Sequence, residues 1–265
     1  MDSDDILDQI FTDGSFFMIA GPCAVESEEQ VVSAARHLRR KGVPILRGGA
    51  YKPRTSPEAF QGLGIEGLKL LAKAKEETGM LIVTEVMDLE HINIVSSYSD
   101  ILQIGSRNCQ NFPLLRAAGA TGKPVLIKRG FGNTVEEFMH ASSYVSKQKN
   151  DRIMLVERGI RTFETSMRFT LDVSSVPVLK ERVRFPVIVD PSHPAGKARY
   201  VKPLALAGVA AGADGLMVEV HPSPQDALSD AEQQLTFQQF DDLQDSVNRL
   251  LTAMPRNSVS VPEKN

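Results

Sequence analysis

The sequence predicts a single (β/α)8 barrel, and three observations predict it. The chain has 265 residues, close to the roughly 250 typical of that fold. Short apolar runs alternate with helical patterns eight times over, and no hairpin signals fall between them, which argues for one parallel sheet. Each run also stops at a polar residue, and closing the sheet gathers these endings, distant in sequence, on one face. An open dinucleotide-binding sheet lacks support, because no G-x-G-x-x-G follows any of the runs.

In chain order, residues 1–15 are acidic and polar around Ile6, Ile10 and Phe11, and read as an N-terminal extension closing the bottom of a barrel that spans 16–254. The first strand, FMIA, ends in Gly-Pro-Cys23. A helix over 27–41 follows, with Val31, Ala34, Ala35 and Leu38 on one face and Gly42 as its stop. Strand 44–47 leads into the Gly- and Pro-rich loop GGAYKPRTSPEAFQGLG, ahead of a helix carrying Leu68, Leu71 and Ala72. Strand 81–84 ends at Glu85 and a helix is expected over 89–98. Strand 101–104 ends in GSRN, with a helix from about Asn111. Strand 125–127 ends at Lys128 and Arg129, and its helix sets Val135, Phe138, Met139, Ser142 and Val145 on one face. Strand 153–156 ends in ERG, then a long polar loop runs through Asp172 to a helix over 176–182. Strand 187–189 ends in DPSHPAG, followed by a small-residue helix through Ala211. The eighth strand, 216–220, carries Glu219 and leads to His221 and a loop reaching Asp230. Phe240, Leu243, Val247, Leu250 and Leu251 mark the last helix. Residues 255–265, polar with two prolines, are expected to be a disordered tail.

Composition excludes several classes of function. With 30 Lys+Arg against 33 Asp+Glu there is no global basic field to attract nucleic acid or a membrane surface. No apolar run approaches the roughly 20 residues that cross a bilayer. The opening MDSDDILDQI is acidic, unlike a secretory leader, and Cys23 and Cys109 are too few for a disulfide framework. A cytoplasmic location is expected.

The chemistry lies in the strand endings. Arg47, Lys52, Arg54, Arg107, Lys128, Arg129, Arg158 and Arg161 all sit at or just after strands, with few acids beside them. Any one of them alone is an ordinary loop cation; together they form a local anion trap with enough charge for two phosphorylated ligands. Cys23, His193, Glu219 and Asp230 follow strands one, seven and eight, which are neighbours in a closed barrel. One sulfur, one imidazole and two carboxylates suit a single divalent manganese, iron, cobalt or zinc ion. Taken singly, the cysteine is a small buried hydrophobe and the histidine a loop residue. Lys128 also reads as a Schiff-base lysine and Cys23 as a nucleophile. The adjacent Arg129 favours an anion clamp for the first, and His193 favours metal ligation for the second. Cys109 reads as structural, and His37, His91 and His140 as surface or packing residues of helices.

Taken together, GPCAVES, LRGGAYKPRTSP, TEVMD, QIGSRN, LIKRG, ERGIRTFE, VDPSHPAG and MVEVHPSPQDALSD carry a resemblance over residues 16–251. The chain resembles the 3-deoxy-D-arabino-heptulosonate 7-phosphate (DAHP) synthases, in the short form of their type I beta class. That resemblance implies a transferase of the shikimate pathway that condenses phosphoenolpyruvate with erythrose 4-phosphate and releases inorganic phosphate. It puts the metal on Cys23, His193, Glu219 and Asp230. It puts phosphoenolpyruvate on Arg47, Lys52, Glu85, Arg107, Lys128 and Arg158, with the Ser106 backbone, and the sugar phosphate on Arg54 and Thr55. Lys52 is the expected proton donor to the new alkoxide, Glu85 the partner of the attacking water, and His193 is included in the catalytic set.

One departure is Ala231, where many relatives have glycine after the aspartate. The nearest alternative is the 3-deoxy-D-manno-octulosonate 8-phosphate synthases, which take arabinose 5-phosphate; that family usually has Asn where this chain has Pro53 and Arg54, so KPRT favours the four-carbon sugar. A catalytically silent barrel that binds phosphorylated ligands is the other alternative, disfavoured by the intact ligands and cations. The resemblance also implies a homotetramer or homodimer. Neither end of this chain reads as a regulatory domain, so direct inhibition by aromatic amino acids is not expected, and a separate protein such as a chorismate mutase would have to supply control.

Overall fold

Eight parallel strands pair in sequence order, and the last pairs with the first, closing a barrel. The structure, a computed structural model, describes residues 3–54 and 56–254. Its strands are β1 (Phe17–Gly21), β2 (Ile45–Arg47), β3 (Leu81–Glu85), β4 (Ile101–Ile104), β5 (Val125–Lys128), β6 (Ile153–Glu157), β7 (Val187–Val189) and β8 (Gly215–Glu219). The closing β1/β8 ladder runs in register from Phe17 opposite Gly215 to Gly21 opposite Glu219.

Around the strands lie α2 (Glu28–Arg40), α3 (Ile65–Thr78), α4 (Ile92–Tyr98), α5 (Phe112–Ala120), α6 (Val135–Ser146), α7 (Ser175–Arg182), α8 (Ser192–Ala195), α9 (Ala198–Ala210) and α10 (Phe237–Ala253), preceded by α1 (Ser3–Asp8). Their starts are chemically marked. The Ser27 hydroxyl accepts from the Gln30 amide at 3.1 Å, and Thr134 and Thr236 form capping boxes with Glu137 and Gln239. Among the described residues no helix is long and apolar enough to cross a membrane.

Both faces of every strand are buried, which is why the runs read as continuous apolar sequence rather than an alternation. Ile19, Ile45, Leu81, Val83, Ile101, Leu126, Met154, Val156, Ile188 and Met217 form one cluster, filling the barrel. Their neighbours Ala20, Leu46, Ile82, Leu102, Ile127, Leu155, Val189 and Val218 belong to the other, packed against the helices. Ile6, Leu7 and Ile10 join the interior cluster, so the first helix and the turn after it pack against the barrel filling.

Strands β3, β5 and β6 each continue one residue past the run read from sequence, taking in Glu85, Lys128 and Glu157. These polar side chains are buried and partnered, so the ladder carries on through them. Helix α4 starts later than its periodicity suggests, because Asp88 Oδ1 accepts from the His91 amide at 3.0 Å and holds residues 88–91 as a turn. In the seventh βα connection the residues read as loop include the single turn α8.

The bottom of the barrel carries one device twice. Asp100, before β4, accepts the Ile82 amide at 2.8 Å and pairs with Lys75 of α3 at 2.5 Å. Asp214, before β8, accepts the Val187 amide at 2.8 Å and pairs with Lys180 of α7 at 2.6 Å. Each aspartate thus ties the preceding strand and the helix before it to the next strand. Replacing Asp100 or Asp214 with Ala leaves a part-buried strand amide without its acceptor and is expected to cost about 1–3 kcal/mol. Denaturant titration checks this, and an unchanged unfolding midpoint would contradict it.

Candidate active site

An open cleft of about 290 Å³ lies at the C-terminal end of the strands, where sites form in this fold. Arg47 of β2, Lys52 and Arg54 of the following loop, Glu85, Ser106, Arg107, Lys128, Arg158, His193 and Asp230 all line it. Cys23 and Glu219 lie against these residues and are fully buried. The sites picked out from sequence thus converge, apart from Arg129 and Arg161, which do not line the cleft, and Thr55, which lies outside the described residues.

The ligand atoms of Cys23, Glu219 and Asp230 all lie within 4.8 Å of one another, a grouping that can hold a metal ion. His193 adjoins them, its Nε2 3.6 Å from Glu219 Oε1. That Oε1 accepts no aligned hydrogen bond although it is buried, and Arg47 Nη1, 3.0 Å away, is likewise unaligned. A buried carboxylate oxygen without a donor, beside a sulfur, an imidazole and a second carboxylate, fits a divalent cation of the transition series. Burial, reinforced by Glu219, pushes the Cys23 thiol up to about 12, so a metal ion would have to displace its proton. Burial lowers His193 to about 4 despite the nearby Asp190, leaving the neutral imidazole that ligates metals.

The loop after β8 holds this cluster in shape. Gln233 Nε2 donates to Glu219 Oε2 at 2.6 Å, and the Gln234 side chain accepts the Cys23 amide at 2.9 Å while donating to the Ser229 carbonyl at 2.8 Å. Asp230 sits in the left-handed region at φ 50°, which aspartate tolerates better than most residues. Ser229 Oγ lies 3.2 Å from Cys23 Sγ and accepts from Arg54 Nη1 at 2.8 Å. Lys52 Nζ donates to the Cys23 carbonyl at 3.0 Å and to its sulfur at 3.1 Å, so the anion cleft and the ligand cluster share a boundary.

The cations are not alike. Lys128 Nζ donates to Asp190 Oδ2 at 2.6 Å, and His193 Nδ1 lies 2.7 Å from the same oxygen. Burial would raise the Asp190 carboxyl, but His193 and Lys128 hold it well below the usual range. Arg129 is no part of the cleft: it is buried in ion pairs with Glu157 and Asp172, each at 2.8 Å. The expectation of few neighbouring acids is therefore corrected. Arg47, Lys128 and Arg129 each have a carboxylate close by, delivered from another strand end or loop. Burial lowers the Lys128 ammonium although Asp190 pulls it up, and the 2.6 Å ion pair ties the lysine to that carboxylate.

Glu85 is buried, and burial raises its carboxyl against the pull of Lys52, Lys128, Arg47 and Arg107. Gln103 Nε2 donates to Glu85 Oε2 at 3.2 Å. A Cβ built at Gly105 would collide with Glu85 Oε1, so only glycine leaves room for this carboxylate. Cys109 is buried, with its thiol raised to about 11 chiefly by burial. His37, His91 and His140 pair with Asp241, Asp88 and Glu136 on helices or turns outside the cleft.

Sequence reading did not single out Asp190, Gln103, Ser229, Gln233 or Gln234. Asp190 had a signal, a charged residue at the end of an apolar run three residues before His193. The glutamines had none, since an amide's partners are set by tertiary contacts alone.

Residues 8–255 match the family profile described as the DAHP synthetase I family. A phospho-2-dehydro-3-deoxyheptonate aldolase of Thermotoga maritima is 49% identical over 250 residues, covering 94% of this chain and 74% of that one. A 2-dehydro-3-deoxyphosphooctonate aldolase of Acidithiobacillus ferrooxidans is 34% identical over 246 residues, covering 86% of each. The crystal structure of the Thermotoga maritima phospho-2-dehydro-3-deoxyheptonate aldolase (DAHP synthase) superposes with a TM-score of 0.88 at 48% identity, covering 91% of this chain and 70% of that chain. A truncated form of 3-deoxy-D-arabino-heptulosonate 7-phosphate synthase from the same organism gives 0.85 at 46%, covering 91% and 88%. A match along nearly the whole sequence goes beyond a shared fold, and the chain belongs to the DAHP synthetase I family.

Proposed function

We propose that this protein condenses phosphoenolpyruvate with erythrose 4-phosphate and water to give 3-deoxy-D-arabino-heptulosonate 7-phosphate and inorganic phosphate. The observation that carries this reading is the shared boundary at Lys52, whose ammonium touches the sulfur of the ligand cluster from within a cleft lined by cations. That arrangement serves two anionic substrates, one of which presents an aldehyde to be polarised.

Arg47, Lys52, Arg107, Lys128 and Arg158 bind phosphoenolpyruvate, aided by the Ser106 backbone. Arg54 and Thr55 bind the sugar phosphate. Cys23, His193, Glu219 and Asp230 would hold one divalent manganese, iron, cobalt or zinc ion. When bound, that ion supplies a Lewis acid for the aldehyde oxygen or a site for water. The protein's groups do the rest. The cations offset repulsion between the two phosphates and hold the methylene carbon of one substrate against the carbonyl carbon of the other. Lys52, hydrogen-bonded beside the cluster, delivers a proton to the new alkoxide. Glu85, whose carboxyl burial raises above its ordinary range, orients the water that adds to the central carbon. Carbon–oxygen cleavage of the resulting hemiketal phosphate then releases phosphate into the arginine-lined end of the cleft.

The five-carbon alternative is less well supported. KPRT is the sequence of the four-carbon family, and the relative named for the octulosonate product is 34% identical, against 49% for the relative named for the heptonate. The catalytic unit is assigned to the barrel of residues 16–254, with 1–15 as its extension and 255–265 as a tail outside the described residues. A homotetramer or homodimer in the cytoplasm completes the reading.

Chelator-treated protein is expected to consume phosphoenolpyruvate only after manganese is restored, and with erythrose 4-phosphate rather than arabinose 5-phosphate. Turnover with the five-carbon sugar would move the protein to the sister activity, and turnover after rigorous metal removal would refute metal dependence. A second outcome is expected from Gly105→Ala. The added methyl displaces a flexible carboxylate rather than backbone, so thermal stability should hardly change, while a shift of about 1 Å in Glu85 should lower kcat by about 10²-fold. Near-normal turnover in that variant would remove Glu85 from the chemistry.

A further inference from the structure

Arg158 is buried at 3% exposure, yet among the described residues it forms no ion pair, and its hydrogen bond is a single one from Nη1 to the Gly159 carbonyl at 3.2 Å. Burial pulls its pKa down to about 10, although Asp190, Glu157 and Glu219 raise it from beyond ion-pair distance. What faces it instead is aromatic. The Phe169 ring centroid lies 4.1 Å from its guanidinium carbon and that of Phe131 5.0 Å, and the two rings stack at 5.2 Å with planes 9° apart. Phe131 serves further guanidiniums: Arg161 at 5.3 Å and Arg107 at 5.5 Å. The backbone fixes the arrangement. The Arg161 amide donates to the Phe131 carbonyl at 2.8 Å, the Phe169 amide to the Pro194 carbonyl at 3.3 Å, and an antiparallel bridge joins Ile160 to Thr170.

The contrast with Arg129, one strand over in the same barrel, is instructive. Arg129 takes two carboxylates and is neutralised within the protein. A carboxylate placed beside Arg158 would likewise steady it, but would repel and compete with an incoming phosphate. The negative face of an aromatic ring attracts a guanidinium without carrying a net charge, so it steadies the cation and leaves its positive field available.

The geometry points to Phe131, with Phe169, as positioning residues that stand in for a counter-ion and hold Arg107, Arg158 and Arg161 together as one binding site for the phosphoryl group of phosphoenolpyruvate. This rests on the reading of these arginines as the phosphate-binding cations. Neither ring touches the reacting carbons in this role; both act through the guanidiniums. Arg161, just past the end of β6 and outside the lining of the cleft, enters the site through the shared ring.

The test separates ring charge from ring shape. Replacement of Phe131 by pentafluorophenylalanine keeps the size and stacking of the side chain but removes the negative face. In the metal-loaded enzyme this is expected to raise KM for phosphoenolpyruvate about fivefold or more, with kcat and KM for erythrose 4-phosphate within about twofold of the parent. Phe131→Leu should show the same split and Phe131→Tyr should restore it. A fluorinated enzyme with the parent KM for phosphoenolpyruvate would overturn the inference, as would equal losses in Leu and Tyr variants, which mark a packing role. Arg158→Ala tells this failure from failure of the underlying assignment. If that variant raises KM for phosphoenolpyruvate while the fluorinated enzyme does not, the rings are at fault. If it leaves KM unchanged, the phosphate site itself is misassigned and the inference falls with it.

Discussion

The site hangs on a carboxylate that never meets water. Asp190, at the end of β7, is fully buried and takes Lys128 from β5 on one oxygen, with His193 from its own connection beside the same atom. An isolated buried carboxylate would cost several kcal/mol in lost hydration, so its position is tolerable only if partners arrive from elsewhere in the fold. Barrel closure brings them. The side chain that anchors a substrate-facing lysine therefore also anchors the imidazole that faces the ligand cluster, and neither can move without the other. The cation-lined cleft and the ligand cluster are built on one support.

A pocket for two phosphorylated substrates must concentrate positive charge in a protein that folds before either substrate arrives. Three solutions coexist here. Arg129 is neutralised by Glu157 and Asp172 and serves the architecture of β5 and β6. Lys128 and Arg47 have a carboxylate at hand, in Asp190 and Glu219, that also belongs to or supports the ligand cluster. Arg158 lies against rings. The graded use of carboxylate, shared carboxylate and aromatic face leaves Arg129 the most fully neutralised of these cations and Arg158 the one without an ion pair among the described residues.

The barrel itself was readable because it repeats one pattern: a buried parallel strand is apolar on both faces, and a helix is periodic on one, so each unit announces itself without reference to the others. The ligand cluster was readable for a different reason. Cys23, Glu219 and Asp230, with His193 beside them, are unusual residue types at strand endings or in the loops that follow, and ring closure makes strands one, seven and eight neighbours. What stayed hidden depends on side-chain direction. Arg129 follows Lys128 directly, and in a strand successive side chains point to opposite faces, so adjacency in sequence meant opposite roles in space. Gln233 and Gln234 are likewise adjacent and serve Glu219 and Cys23 separately. No periodicity marks such residues, because a hydrogen-bond partner 211 positions away leaves no trace in local sequence.

The sugar end of the cleft shows how a shared scaffold can be specialised without touching its chemistry. Arg54 belongs to the loop after β2, whose KPRT carries the proposed preference for the four-carbon sugar, and its guanidinium reaches Ser229 in the loop after β8. Ser229 in turn lies against the Cys23 sulfur. The residue proposed to read the sugar phosphate is thus one hydroxyl removed from the ligand cluster, while Arg47, Glu85 and Lys128, proposed for phosphoenolpyruvate, are carried by strands. Strands cannot shift without breaking the closed ladder, whereas loops accept substitution at low cost. On the proposed assignment the common substrate draws on strand ends as well as loops, whereas the sugar phosphate draws on the loop after β2 alone.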